Sequence, residues 1–249
     1  MTLATNQSRL RRWGFLKDTS TGYGPNTEAG YTLALNKLET FLPLPAGSTA
    51  GVIGIPVTKI PENTLSIRGA AELIEHESIV LEAYYDNAKP PVLTWGIGVT
   101  DASGHKVGRY KDNPQSIEKV LEIYVWLLKT NYLPAVLKAF EGFPLNEHQL
   151  AAALSFHYNT GSILKTEWVG LVKANRLKEA RAFLTTHYLN GGALTKRRKL
   201  EAALFFDGAW TTDGKVTVLG VNKPSYTPNW SSAKTVDIIP ALTVVMAKA

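Results

Sequence analysis

The chain has 249 residues and a mass of 27.2 kDa, with 45% hydrophobic and 10% aromatic residues and a formal net charge of +6, the balance of an ordinary globular protein able to bury its own core. It contains no cysteine, which excludes disulfides, thiol nucleophiles and Cys-ligated zinc, and with them cysteine peptidases and zinc deaminases of the Cys type. The positive excess lies on the flanks, with residues 1–60 at +3, 61–210 at +1 and 211–249 at +2. No basic stripe therefore marks a nucleic-acid cleft, and no nucleic-acid partner is expected.

Taken in chain order, the first thirty residues hold Arg9, Arg11 and Arg12 without the apolar run of about 7 to 15 residues that a secretory signal requires. No signal peptide is expected. Residues 43–63 are rich in proline and glycine (Pro43, Pro45, Gly47, Gly51, Gly54, Pro56, Pro61) and read as a linker or an irregular wrap between a head and the main body. The main body begins near Leu65. From Ser66 to about Glu77, Ile67, Ala70, Ala71 and Ile74 recur at helical spacing, whereas Leu81 to Thr100 alternates around a Lys89-Pro90-Pro91 turn, which predicts one helix followed by a small antiparallel hairpin.

After Gly104 helical patterns dominate. Asn113 as N-cap and Pro114 at the first helical position open a segment with Ile117, Val120, Leu121, Tyr124, Leu127 and Leu128 on one face. Asn146 caps a second, and further helices are predicted near 166–176, 177–188 and 194–206. Beyond Gly208 the pattern of Val216, Val218 and Val221 predicts short strands laid over the body. The apolar stretch Ile238 to Met246 contains Pro240 and is about half the length needed to span a bilayer, so it reads as a strand or a packed tail, with no membrane insertion. The fold class is α+β, a small antiparallel hairpin lobe beside a larger helical lobe. Residues 1–60 are expected to form an N-terminal extension, 61–210 the main body and 211–249 a strand-like tail.

Chemistry concentrates where the first helix meets the hairpin. Glu77 ends the helix, Asp86 follows nine residues later, and Thr94 eight after that, before Trp95-Gly96-Ile97-Gly98. Glycoside hydrolysis needs such a set: one carboxylic acid to protonate the leaving oxygen, and a carboxylate that activates or orients water or attacks directly. Glu72, Glu75 and Glu82 lie nearby and read as a solvated helix face. His76, His105, His148, His157 and His187 show no metal-binding spacing, so neither a metal nor an organic cofactor is expected. Ser231-Ser232-Ala233-Lys234 has the spacing of an acyl-enzyme serine and lysine, but its companion motifs are absent.

The stretch Leu73-Ile74-Glu75-His76-Glu77, through Ala83-Tyr84-Tyr85-Asp86, to Thr94-Trp95-Gly96-Ile97-Gly98 resembles the Glu, Asp, Thr segment of phage-type lysozymes, glycoside hydrolase family 24. Leu145 to Leu150 leading into Ser155 to Gly161 resembles that family's central helix and its turn. Trp168-Val169, Lys173 to Arg176, and Leu194 through Arg197-Arg198, Glu201 and Leu204-Phe205 resemble its closing helices, in the same order. The resemblance implies a lysozyme-like fold and a muramidase that cuts the β-1,4 bond between N-acetylmuramic acid and N-acetylglucosamine. Glu77 would be the general acid, with Asp86 and Thr94 holding the attacking water. It further implies Arg197 facing the acid across the cleft, where a cation favours the ionised carboxylate and burial must oppose it, and Asn159 as a polar cleft residue for an acetamido group. Tyr84, Tyr85 and Trp95 are aromatic candidates for sugar stacking, with at least one expected in the core.

Three departures from the family pattern stand out: Ser78 where a glycine is common, seven residues including two prolines between Asp86 and Thr94, and Val99 where many members have histidine. The implied biology is an endolysin, a monomer made in the host cytoplasm that acts on bacterial peptidoglycan in the wall, reaching it through a holin-type pore or in a virion. A lytic transglycosylase and a non-catalytic wall-binding or virion protein are the competing readings. Arg9 to Phe15 with Thr21 to Ala29 faintly resembles small peptidoglycan-binding modules; docking to a virion or packing on the catalytic lobe are the alternatives for this head.

Overall fold

The computed structural model describes residues 61–249; the N-terminal extension 1–60, with its arginine run and expected docking role, lies outside the described residues. Helix α1 (Ile67–Ile74) starts where Ser66 Oγ accepts the Gly69 N–H at 2.8 Å, a side-chain N-cap. It buries Ala70, Ala71, Leu73 and Ile74. It is shorter than the pattern predicted, so Glu77 sits one turn beyond its end, with its N–H on Ile74 O at 2.9 Å. Strands β1 (Ile79–Tyr85), β2 (Leu93–Gly96) and β3 (Val99–Thr100) follow as an antiparallel meander. Gly96 makes the β2–β3 turn at φ +64°, and a Cβ there would lie 3.0 Å from Val120, so both conformation and space call for glycine.

Helix α2 (Ile117–Leu127) is capped by Ser116, whose Oγ accepts from Lys119 N at 3.2 Å, and not by Asn113. The Gln115 N–H is tied to Leu81 O on β1 at 2.8 Å and Asn113 Nδ2 to Arg109 O. These bonds hold residues 113–115 outside the helix. A π-helical turn, Leu128–Tyr132, joins α2 to α3 (Leu133–Ala139). Helix α4 (Glu147–Thr160) opens with a reciprocal capping box between Asn146 and Gln149, as Asn146 predicted, and closes at Gly161. It is buried along eight consecutive residues from Leu150 to His157, which makes it the central helix. Around it stand α5 (Glu167–Lys173), α6 (Leu177–Thr186) and α7 (Thr195–Asp207). Trp168 meets Phe156 and Phe205 edge-on at 5.6 and 5.2 Å, contacts worth about 0.5–1.5 kcal/mol each beyond area burial.

The C-terminal segment departs from the expected tail. Strands β4 (Lys215–Asn222) and β5 (Thr227–Asp237) join the same sheet, giving the order β3-β2-β1-β4-β5. β4 lies parallel to β1, pairing Val218 with Ile79 and Leu219 with Val80. A parallel neighbour needs a crossover, and here the whole helical body supplies it. The last apolar stretch is helix α8 (Ile239–Lys248), begun by Pro240 in its first turn and packed on α1 and α2 through Leu242 and Val245. Of the two readings of this stretch, it is the packed tail, and it is helical. The described residues 61–249 belong to one compact unit.

Candidate active site

Glu77 projects from the turn between α1 and β1, with its side chain 28% exposed and Oε1 receiving Arg197 Nη1 at 2.6 Å. Arg197 comes from the first turn of α7 and is itself only 9% exposed. Its Nε donates to Glu201 Oε1 at 3.1 Å, one helical turn on, and Nη2 reaches Ser155 O at 3.4 Å. Glu201, fully buried, also accepts from Ser155 Oγ at 2.7 Å and from Arg198 Nη1. Arg198 in turn donates to Asn159 Oδ1 and lies over the Phe156 ring at 5.1 Å. Spacings of three and four along α7 put both arginines within reach of Glu201. The network thus runs from Glu77 through alternating charges to the middle of α4. Arg197 and Arg198 are therefore interior groups and not the surface charges that a helix start allows. Next to the acid, burial together with Arg197, Arg198 and Lys196 pushes the His76 imidazole down to about 4, so it is neutral and adds no positive charge near pH 7.

Asp86 follows the last residue of β1 and organises the hairpin turn. Its Oδ1 accepts from Ala88 N at 3.0 Å and Val92 N at 2.8 Å. Pro90 and Pro91 have no N–H to offer, so the carboxylate caps the donors on either side of them. Glu77, Ser78, Tyr84 and Asp86 line one cleft of about 220 Å³, whose other wall is Leu219, Pro228 and Trp230. Burial, then the charges of Glu77 and Asp86, push the Tyr84 phenol up to about 12, so it stays protonated near pH 7. Thr94 pairs with Tyr84 across β1 and β2 and so shares its face of the sheet. It is 3% exposed, with its hydroxyl donating to Val92 O at 3.1 Å.

The structure thus brings Glu77 and Asp86 to one hollow, with Arg197 on the acid and Thr94 behind Tyr84. Trp95 is a correction. Its ring is fully buried, stacked 3.9 Å from Tyr110, and its Nε1 donates to Leu81 O at 3.1 Å; no face is left for a sugar. Asn159 spends its Oδ1 on Arg198, so contact with an acetamido group would fall to its Nδ2 donors. Glu72 also departs from the solvated-face reading. It is 1% exposed and accepts from Thr211 N, Thr211 Oγ1 and Thr212 N at 2.7–3.1 Å, which ties α1 to the chain leaving α7. Glu82, on β1, pairs with Lys223. Sequence reasoning missed Trp230 altogether. Its only signal is a lone tryptophan in the polar run Tyr226 to Ser232; the place of β5 in the sheet and the break in its pairing with β4 bring it to the cleft that holds Glu77.

A second hollow of about 250 Å³, lined by Gly98, Thr100, Asn131, Tyr132, His157 and Tyr158 among others, contains neither carboxylate. Among the described residues no group of three His, Asp or Glu is arranged to hold a metal ion, and no helix is long and apolar enough to cross a membrane.

A family model described as phage lysozyme matches residues 74–201. Among solved structures, the muramidase domain of SpmX from Asticaccaulis excentricus superposes with a TM-score of 0.42 at 22% identity, covering 57% of this chain and 97% of that one. No curated protein sequence matches the chain significantly. The family match runs from the end of α1 to Glu201 in α7, and it includes Glu77, Asp86, Thr94, Asn159 and Arg197.

Proposed function

Since the chain belongs to the phage lysozyme family, whose members are glycoside hydrolases acting on peptidoglycan, we propose that it hydrolyses the β-1,4 bond between N-acetylmuramic acid and N-acetylglucosamine with Glu77 as general acid and Asp86 as the water-activating base. The observation that carries this reading is that the two carboxyls line one cleft and are held differently. Arg197 occupies Glu77 Oε1, which leaves Oε2 to carry the proton and deliver it to the glycosidic oxygen as the C1–O bond breaks. Asp86 is anchored through Oδ1 by two backbone N–H groups, leaving Oδ2 to accept a proton from the water that attacks C1. Thr94 is 3% exposed and outside the cleft lining, with its hydroxyl donating to Val92 O, so its part in this reading is to back Tyr84 and not to hold the water. The proton gained by Asp86 returns to Glu77 through solvent. Attack from the opposite face inverts the anomeric carbon and requires the two carboxyls to stand about 6.5–9.5 Å apart.

Beyond the reaction, the reading is an endolysin that acts as a monomer on the host wall after release through a separate pore or delivery in a particle. The test is clearance of purified peptidoglycan, with the products weighed by mass spectrometry and their anomeric configuration followed by NMR. Hydrolysis adds one water per cut and gives the inverted anomer. Glu77→Gln should abolish clearance with the thermal transition kept, because the amide has no proton to give. Anhydro-sugar ends would instead mark a transglycosylase, an intact suspension a binder, and full activity in Glu77→Gln would remove the acid from its role.

A further inference from the structure

We infer that the C-terminal hairpin β4–β5 is a wall of the substrate cleft and that Trp230 is a platform on which a pyranose ring of the β-1,4-linked N-acetylhexosamine chain stacks; this deepens the lysozyme reading above and rests on it. Both strands lie beyond residues 74–201, the part that matches the family. The starting point is burial. Trp95 and Trp168 are fully buried, whereas Trp230 is 68% exposed, and it lines the same hollow as Glu77 and Asp86.

The backbone brings it there by a departure from regular pairing. Between the pairs Val218↔Lys234 and Gly220↔Asn229, β4 has one residue, Leu219, and β5 has four, Trp230 to Ala233. Such an excursion re-aims the side chains it carries. It is secured within the hairpin by Ser232 Oγ, which accepts from Gly220 N at 2.8 Å and donates to Asn229 O at 2.7 Å. The hairpin is fixed to the body as well. β4 pairs with Ile79 and Val80, two and three residues after Glu77, and Tyr85 N donates to Tyr226 O at 2.7 Å. At the tip, Lys223 pairs with Glu82 and Asp112, and Tyr226 Oη donates to Asp112 Oδ2 at 2.7 Å.

The indole is thus a solvent-facing ring carried on an anchored hairpin beside two carboxyls. A pyranose carries its C–H groups on one face and hydroxyls at its edge, so it offers an apolar surface to the ring while the cleft's polar groups take the edge. Pro228 and Leu219 extend the apolar floor. Flat apolar surface with few convergent polar groups is the composition of a ligand site, and a rigid aromatic supplies contact at low entropic cost.

The experiment measures binding and turnover separately in the full chain. Binding of a soluble β-1,4-linked N-acetylglucosamine hexamer is titrated calorimetrically to the Glu77→Gln protein with and without Trp230→Ala, and turnover on soluble wall fragments is measured for the single variants. Trp230→Ala should weaken hexamer binding about tenfold, the scale of one lost aromatic contact, and should raise KM with kcat largely kept. Trp230→Phe should restore most of the affinity. Unchanged affinity and KM in Trp230→Ala, or no rescue by phenylalanine in a protein of unchanged thermal transition, would overturn the role of Trp230 while leaving the lysozyme reading standing. Failure of the parent protein to bind the hexamer and to cut wall fragments would bring down both.

Discussion

Glu201→Gln tests whether the buried charge network holds both the fold and the acid. The Arg198 and Glu201 side chains are fully buried and paired with each other, and the same carboxylate takes Nε of Arg197 and Oγ of Ser155. An amide of equal size presents its NH2 to donors and removes the charge, leaving the Arg198 guanidinium buried without a counter-ion. Breaking a buried pair from one side costs about 3–5 kcal/mol. For a chain of this length that lowers Tm by roughly 6–20 °C. Ser155→Ala removes a single donor and should cost only about 1–2 kcal/mol. The substitution also loosens Arg197, and with it the only charged partner of Glu77 among the described residues. At a temperature well below both transitions, the rate of wall clearance should still fall by on the order of 10- to 100-fold, as for a misplaced catalytic group. Thermal melts and urea titrations at fixed ionic strength give the first number, and initial clearance rates give the second. A Glu201→Gln protein melting within about 2 °C of the parent, or one that is destabilised yet fully active when folded, would refute the coupling.

Two further outcomes follow from groups next to the site. The His76 imidazole titrates near 4 in the folded protein against 6.5 unfolded, so the unfolded chain binds its proton first. Stability relative to a His76→Gln variant should fall as pH drops from about 6.5 toward 4, level off below that, and show no such difference above neutrality, as read from melts across that range. Glu72→Ala strands the N–H groups of Thr211 and Thr212. It should lower stability by about 2–6 kcal/mol at about one to three per unsatisfied group, with Glu72→Gln intermediate because its carbonyl still accepts. Urea midpoints measure this, and clearance by the folded protein should be unaffected because Glu72 does not line the cleft.

Much of this protein is local in origin and was legible in the residues. The Asn146 cap with Gln149 three positions on, the helical spacing along α4, and the Asp86 turn around two prolines are interactions between near neighbours. The short segments between Glu77, Asp86 and Thr94 predict all three around one helix-to-hairpin corner; the cleft takes the first two, and Thr94 lies buried behind Tyr84. What lay beyond reach depends on contacts between distant positions. Glu72 meets Thr211 across 139 residues, and the meeting of Arg197 with Glu77 across 120 was reached only through the family resemblance, not from the pattern of the residues. Trp95 looks like a cleft aromatic in a motif, and only the packing of Tyr110 upon it makes it core. The apolar alternation of β4 announces a strand but not its neighbour. Parallel pairing with β1 is decided by where the helical body returns the chain, and that return carries Trp230 to the acid's side.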